Sequence, residues 1–217
     1  MAARALPNLL VIGAMKCGTS SLHRYLGLHP EIAMSGAKEL NFFLPAEADR
    51  AGPLLGERSS ASRGLDWYAS QFDASAPVRG ESSVAYSFPW FGGVADAIAA
   101  TLEEPRLIYV VRDPIERMLS HRDQFAARDR RPIDAALLDP EGPYLRASSY
   151  ATALAPFLER FGTDRLHMIE QARLRDDRDA VLAETFAFCG VDPTFTSPRT
   201  AGGRNVSTGK GAAYRLA

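Results

Sequence analysis

"LLVIGAMKCGTSSLHRYL", residues 9–26, opens as an apolar run, turns through two glycines that flank a lysine, and continues with helical spacing. A strand that feeds a glycine turn and then a helix start aims backbone N–H groups and the positive end of a helix dipole at one point, which suits an anion. An ordinary βα turn is the plain alternative. The Walker A phosphate loop puts its lysine directly after the second glycine, whereas "GAMKCGTSS" puts Lys16 two residues before Gly18. The loop is therefore not a Walker A loop, yet it has the parts of an anion site. Gly18 lets the backbone approach a ligand, Thr19, Ser20 and Ser21 supply hydroxyls, and the helix that starts there supplies N–H donors. The chain has three lysines, Lys16, Lys38 and Lys210, against 22 arginines. Each lysine stands near glycine or glutamate in a candidate loop, which reads as a need for a compact ammonium there; chance placement is the alternative.

Outward from this stretch, apolar strand-like runs alternate with helical patterns. The spacing predicts a helix over Thr19–Leu28 and short strands over Ile32–Met34 and Val78–Glu81. "RLIYVVR", Arg106–Arg112, suits a central buried strand, and Pro114 suits the first turn of the next helix. "DRLHMIE", Asp164–Glu170, repeats the pattern before a helix over Asp177–Cys189 that Gly190 stops. Pro45–Gly64, Arg130–Gly142 and the tail from Pro193 read as loops. Alternation of this kind implies an α/β fold of three layers, α/β/α, with a mainly parallel central sheet.

The composition bounds the function. A chain of 217 residues, 46% hydrophobic and 24% charged, fits one globular domain spanning residues 1–217. A formal net charge of -1 argues against nucleic acid or an acidic membrane surface as the main partner. The opening residues lack the apolar length of a membrane span or the form of a signal peptide, so the expected compartment is the cytoplasm. Two cysteines, Cys17 and Cys189, make no disulfide framework, and no spacing offers a metal site.

A second anion segment lies downstream. "VVRDPIERMLSHRDQF" places an arginine at a strand end and a serine eight residues later on the next helix, so Arg112 and Ser120 can converge on one phosphate while Arg117 braces the turn. Two phosphate pockets suggest a doubly phosphorylated ligand. This pair of motifs, with "KELNFF" between them, resembles the sulfotransferases that use 3′-phosphoadenosine 5′-phosphosulfate (PAPS), in particular the heparan sulfate sulfotransferase branch and its bacterial relatives, over about Leu9–Pro193.

The resemblance implies a P-loop NTPase-like sulfotransferase fold and an EC 2.8.2 activity. The sulfuryl group would pass in line from PAPS to a hydroxyl or amine of a glycan or small-molecule acceptor, leaving PAP and requiring no metal. Lys16, Cys17, Gly18, Thr19, Ser20 and Ser21 would hold the 5′-phosphosulfate, and Arg112 and Ser120 the 3′-phosphate. In "RNVSTGKGAAYRLA", Arg204, Asn205, Ser207, Lys210 and Gly211 offer a loose counterpart of the family's adenine and 3′-phosphate loop.

The chemistry needs these residue types. The departing phosphate oxygen gains negative charge, so an ammonium and helix N–H groups aimed at it stabilise the transition state, and Lys16 is the candidate. An alcohol acceptor needs a base; Glu39 of "KELNFF" fits, with Lys38 beside it to touch acceptor or sulfonate. A solvated loop charge is the plain reading of Glu39. Phe42 and Phe43 read as core anchors for this loop.

The Cys17 thiol reads as a spectator, His29 as a turn former, His167 as structural, and "EQARLRDDRD" as a solvated helix start. His121, beside Ser120, is the one histidine kept as a site candidate. Several relatives carry lysine where Ser82 stands, which leaves the acceptor open. A P-loop-like nucleotide kinase and a non-catalytic nucleotide-binding module are the competing readings. The kinase needs the Walker lysine and a Mg²⁺ partner, and the module has no use for Glu39.

Overall fold

A computed structural model describes residues 4–46, 48 and 58–200. Its centre is a five-stranded sheet in which every pairing is parallel: β1 (Leu9–Gly13), β2 (Ile32–Met34), β3 (Val78–Ser82), β4 (Arg106–Val111) and β5 (Leu166–Glu170), in the order β2-β3-β1-β4-β5. All five residues of β1 are buried, as a central strand covered on both faces requires. Its register sets Leu9 against Gly80 on one side and Arg106 on the other.

Nine α-helices are described: α1 (Thr19–Leu26), α2 (Gly64–Ala69), α3 (Val94–Thr101), α4 (Pro114–Phe125), α5 (Ile133–Leu137), α6 (Pro143–Arg146), α7 (Tyr150–Phe161), α8 (Gln171–Asp176) and α9 (Arg178–Cys189). They flank the sheet to give the expected three-layer α/β/α architecture. The core gathers Leu9, Leu10, Val11 and Ile12 of β1 with Leu22 and Leu26 of α1 and Leu107, Ile108 and Val110 of β4. Each such side chain contributes roughly 1.5–3 kcal/mol by leaving water.

Several elements depart from the sequence pattern. α1 ends at Leu26, where Gly27 and Leu28 donate to the His23 and Tyr25 carbonyls, two residues short of the expected Leu28. The expected loop over Arg130–Gly142 contains α5, a single short turn that buries only Ala136. "EQARLRDDRD" is divided between α8 and α9, with Asp177 at the break. α9 stops at Gly190 in the left-handed region, as its sequence indicates. α3 and α7 fall in stretches for which the pattern gave no assignment.

The topology places the site. α1 leaves β1 toward β3 and β2, whereas the chain after β4 proceeds toward β5. Loops that diverge from adjacent strands open a crevice at the carboxyl ends of those strands. Gly13 ends β1 there because a Cβ would collide with Ser87 Oγ and the Tyr109 ring.

Candidate active site

The β1–α1 loop is shaped by backbone that few residues tolerate. Lys16 has φ 69° and Gly18, the N-cap of α1, φ 95°. A glycine cap has no side chain to bond the first-turn N–H groups; the Ser21 N–H donates to the Gly18 carbonyl at 3.0 Å, and those of Thr19 and Ser20 lie at the helix start facing the crevice. Lys16 Nζ donates to Gln124 Oε1 at 2.9 Å. Its pKa is held below the ordinary lysine value by burial first and then by the nearby Arg112 and Arg117 charges, with Asp123 opposing. An ammonium crowded by guanidinium groups marks a place that favours an anion.

Cys17 is fully buried. Its thiol meets the Met15 carbonyl and the Tyr150 hydroxyl, each at 3.7 Å, and burial pushes its pKa up to about 11. The side chain therefore faces the interior, and the Cys17 N–H donates to the Ala14 carbonyl at 3.2 Å. This agrees with the spectator reading of the thiol.

The β4–α4 turn meets the first loop directly. Asp113 caps α4 by accepting from the Glu116 N–H at 2.9 Å, with Pro114 at the first helical position. Arg112 donates from Nη1 to the Lys16 carbonyl at 3.4 Å and from Nε to Glu116 Oε2 at 3.1 Å. The Tyr150 hydroxyl clamps Arg112 by accepting from its N–H and donating to its carbonyl at 2.8 Å. Ser120 precedes Gln124 by one turn, so it lies on the α4 face that meets Lys16. The two anion segments thus share one crevice.

Arg117 braces something other than the expected turn. It is fully buried and donates to Ser148 Oγ and the Tyr144 carbonyl, both at 2.5 Å, pinning the chain from α6 to α7 against α4. Its Nη atoms approach His121 Nδ1 at 3.3 and 3.4 Å. Burial, Arg117 and Lys16 push His121 down to about 3, so its ring is neutral near pH 7. His121 Nε2 is buried without a hydrogen-bond partner among the described residues.

Lys38 and Glu39 complete the site. Glu39 has φ 58°; its N–H donates to the Ser82 carbonyl at 2.8 Å, and its Oε2 accepts from the Val84 N–H at 2.9 Å. Its Oε1 lies 3.1 Å from Lys38 Nζ, which also donates to Ser20 Oγ at 3.1 Å and Thr19 Oγ1 at 3.4 Å. Lys38 therefore ties the carboxylate to the start of α1. Phe43 is buried, and Phe42 stacks on Tyr68 with ring centroids 4.2 Å apart, so both anchor the loop as expected. His29 receives the Glu31 N–H at its turn, and His167 contacts Thr185.

Sequence reasoning missed His23, which reaches Ser82 with Nδ1 2.9 Å from its Oγ. Burial and the Lys38 charge hold it down to about 4. Its position four residues after Thr19, one helical turn along the same face, was the available signal. Gln124 and Tyr150 were also missed. Beyond Arg112 a cleft of about 510 Å³ opens, lined by Arg112, Pro114, Tyr150, Met168, Gln171 and Arg175. Arg204, Asn205, Ser207, Lys210 and Gly211 lie outside the described residues. Among the described residues no group of three or more His, Cys, Asp or Glu side chains is placed to hold a metal ion. None of the described helices is long and apolar enough to cross a membrane.

A parallel α/β/α sheet with an anion loop after its first strand and an arginine after a neighbouring strand defines a protein of P-loop-like architecture. The chain belongs to the sulfotransferase family, whose model matches residues 7–196. It is 32% identical over 133 residues to the membrane-associated sulfotransferase kil1 of Dictyostelium discoideum, covering 58% of this chain and 25% of that protein. It is 27% identical over 205 residues to the heparan sulfate glucosamine 3-O-sulfotransferase 3B1 of Mus musculus, covering 89% of this chain and 48% of that protein. The chain thus spans about half the length of one of these relatives and a quarter of the other. The crystal structure of a sulfotransferase from Alicyclobacillus acidocaldarius superposes with a TM-score of 0.76 at 26% identity, over 93% of this chain and 87% of that one. Since one of these relatives is membrane-associated, the cytoplasmic expectation gains no support from them.

Proposed function

We propose that this chain transfers a sulfuryl group from PAPS to a hydroxyl of a glycan or small-molecule acceptor, with Glu39 as general base. The observation that carries this reading is Lys38, which bridges Glu39 at 3.1 Å and Ser20 at 3.1 Å and so sets a carboxylate beside an anion loop. A module that only binds a nucleotide has no use for that carboxylate.

In this reading Glu39 takes the acceptor proton as the acceptor oxygen bonds to sulfur and the bond from sulfur to the 5′-phosphate oxygen breaks. Lys16 and the N–H groups of Gly18, Thr19 and Ser20, with the Ser21 hydroxyl beside them, meet the charge that appears on the departing oxygen. Lys38 neutralises the sulfonate or orients the acceptor. Arg112 and Ser120 hold the 3′-phosphate, and the cleft beyond Arg112, with Pro114, Tyr150 and Met168 among its walls, has apolar surface for the adenosine. The crowding of Lys16 by Arg112 and Arg117 supports the fit, because a doubly phosphorylated nucleotide relieves it. The heparan sulfate relative makes an acidic glycan the first acceptor to try.

Calorimetry with PAP, compared with ATP and Mg²⁺, tests the nucleotide, and transfer of labelled sulfate from PAPS to an acceptor panel tests the reaction. PAP is expected to bind without Mg²⁺ and more tightly than ATP. Preference for ATP with Mg²⁺ overturns the reading in favour of a kinase, and PAP binding without transfer to any acceptor reduces the chain to a binding module.

A further inference from the structure

Glu81, at the end of β3, is a carboxylate with no exposed surface and no cation bonded to it among the described residues. Three hydroxyls serve it instead. Tyr68 and Tyr86 donate to its Oε1 at 2.5 and 2.8 Å, and Ser83 donates to its Oε2 at 2.7 Å. A carboxylate accepts and never donates, so all three hydroxyl hydrogens turn inward and their oxygens keep only acceptor capacity outward.

Two of those oxygens face the loop that carries Glu39. The Tyr86 oxygen accepts from the Phe42 N–H at 2.9 Å and the Phe43 N–H at 3.4 Å, and Ser83 Oγ accepts from the Asn41 N–H at 3.0 Å. The third, Tyr68, stacks on Phe42. Glu39 and Asn41 both have left-handed backbone, φ 58° and 55°, which costs a non-glycine residue on the order of 1–3 kcal/mol and persists only where surrounding bonds enforce it. The Ser83 N–H is bonded to the Val11 carbonyl, so the network is anchored in the central strand.

We infer that Glu81 is the positioning residue of the base loop: by polarising Tyr86 and Ser83 it holds the N–H groups of residues 41–43, and through them the backbone that presents Glu39. The kinetic side of this inference rests on the proposed role of Glu39; the anchoring itself does not. Glu81→Gln keeps the volume but brings an amide that donates. One hydroxyl must then reverse and point its hydrogen at a loop N–H, and that N–H loses its acceptor.

The test has two readouts. Backbone amide exchange at Asn41, Phe42 and Phe43 is expected to accelerate about 10-fold or more in Glu81→Gln, with β1 and α1 unchanged. Unchanged exchange at those three amides overturns the anchor, whatever reaction the protein performs. With PAPS and a heparan-type oligosaccharide, kcat in Glu81→Gln should fall roughly 100-fold for a misplaced base, with the Kd for PAP within about twofold of wild type. Adding Glu81→Gln to Glu39→Gln should then cost little more. Fully additive losses, or a matching loss of PAP affinity, assign Glu81 to general fold stability and overturn its positioning role. If wild type transfers no sulfate from PAPS, the functional reading fails and the exchange experiment still decides the anchor. Tyr86→Phe and Ser83→Ala each remove one arm while sparing the carboxylate, and they carry the same test if Glu81→Gln does not fold. Faster exchange should then be confined to Phe42 and Phe43 in the first and to Asn41 in the second.

Discussion

The β1–α1 loop and the Lys38–Glu39 loop face each other across Lys38, and they are held by different means. The first is built from adjacent residues: a buried strand, a left-handed lysine, a glycine cap and a helix start within Leu9–Leu26. The second has no regular structure of its own and takes its shape from β3 and the turn after it, through Ser82, Ser83, Val84 and Tyr86. A local device gathers backbone donors and a fixed charge at one point, which suits an anion. A borrowed one sets a single carboxylate at an angle that local sequence does not specify, and it depends on residues some forty positions away.

Removing the fixed charge should break the comparison most severely. Lys16→Ala is expected to lower turnover about 1,000-fold, because a cation that meets developing charge acts mainly on the transition state. The Kd for PAP should move far less, since Arg112 and the α1 N–H groups still hold the nucleotide. Single-turnover kinetics beside PAP calorimetry separates the two, and near-normal turnover removes Lys16 from the chemistry.

Glu39→Gln is the matching break on the other side, with an expected loss of about 100-fold in turnover. PAP affinity and thermal stability should change little, because Gln retains an acceptor for the Val84 N–H. Acceptors of graded acidity sharpen the result. A phenol with a pKa near about 10 is already partly activated and should rescue the variant better than an aliphatic alcohol. Equal loss across the series would make Glu39 a positioning group for Lys38.

Much of the first loop was legible from its sequence, and little of the second. The alternation of apolar runs with helical spacing sufficed for all five strands, most plainly for the continuous apolar runs of the central strands β1 and β4. Lys16, Arg112 and Ser120 could be singled out because each sits in the turn after a strand or on the helix that follows. Lys38 stood out only as one of three lysines in an arginine-rich chain, and Glu39 entered only through the resemblance of "KELNFF". Their anchors Tyr68, Ser83 and Tyr86 carry no local mark, since what identifies them is a shared partner, Glu81, in another element. α7 escaped notice although its Tyr150 clamps Arg112, and Pro156 within it reads as a helix breaker until packing overrides it.

Arg112→Ala gives a smaller effect and sharpens the division of labour between the phosphates. Loss of one charge-assisted contact should weaken PAP binding by about 2 kcal/mol, or roughly 30-fold. Arg112 is only partly buried and already shares its guanidinium with Glu116, so the full cost of orphaning a buried charge does not apply. In the variant, PAP and AMP should bind almost alike by calorimetry. A preference for PAP as strong as in wild type would move the 3′-phosphate away from Arg112.

The smallest expected effect is an acid sensitivity that reaches the borrowed side of the site first. His23 bonds Ser82, whose carbonyl receives the Glu39 N–H, and burial with the Lys38 charge holds the ring down to about 4 against an ordinary value near 6.5. The unfolded chain therefore takes up the proton first as pH falls. Between about pH 6.5 and 4 the unfolded state binds more protons than the folded one, so stability declines through that window and is complete above it. His121, held down to about 3, adds to the same slope and extends it downward. With discount for the partial exposure of His23, its share is on the order of 1–2 kcal/mol. Chemical denaturation at a series of pH values should show a shallower decline in His23→Gln than in wild type over this window. Amide exchange at pH 5 should also quicken at Glu39 before it does in β1 or the first turn of α1, because protonating His23 disturbs the Ser82 contact that the anion loop does not use. Parallel pH curves for variant and wild type would remove His23 from this role, and simultaneous opening of both loops would show that they behave as one unit in acid.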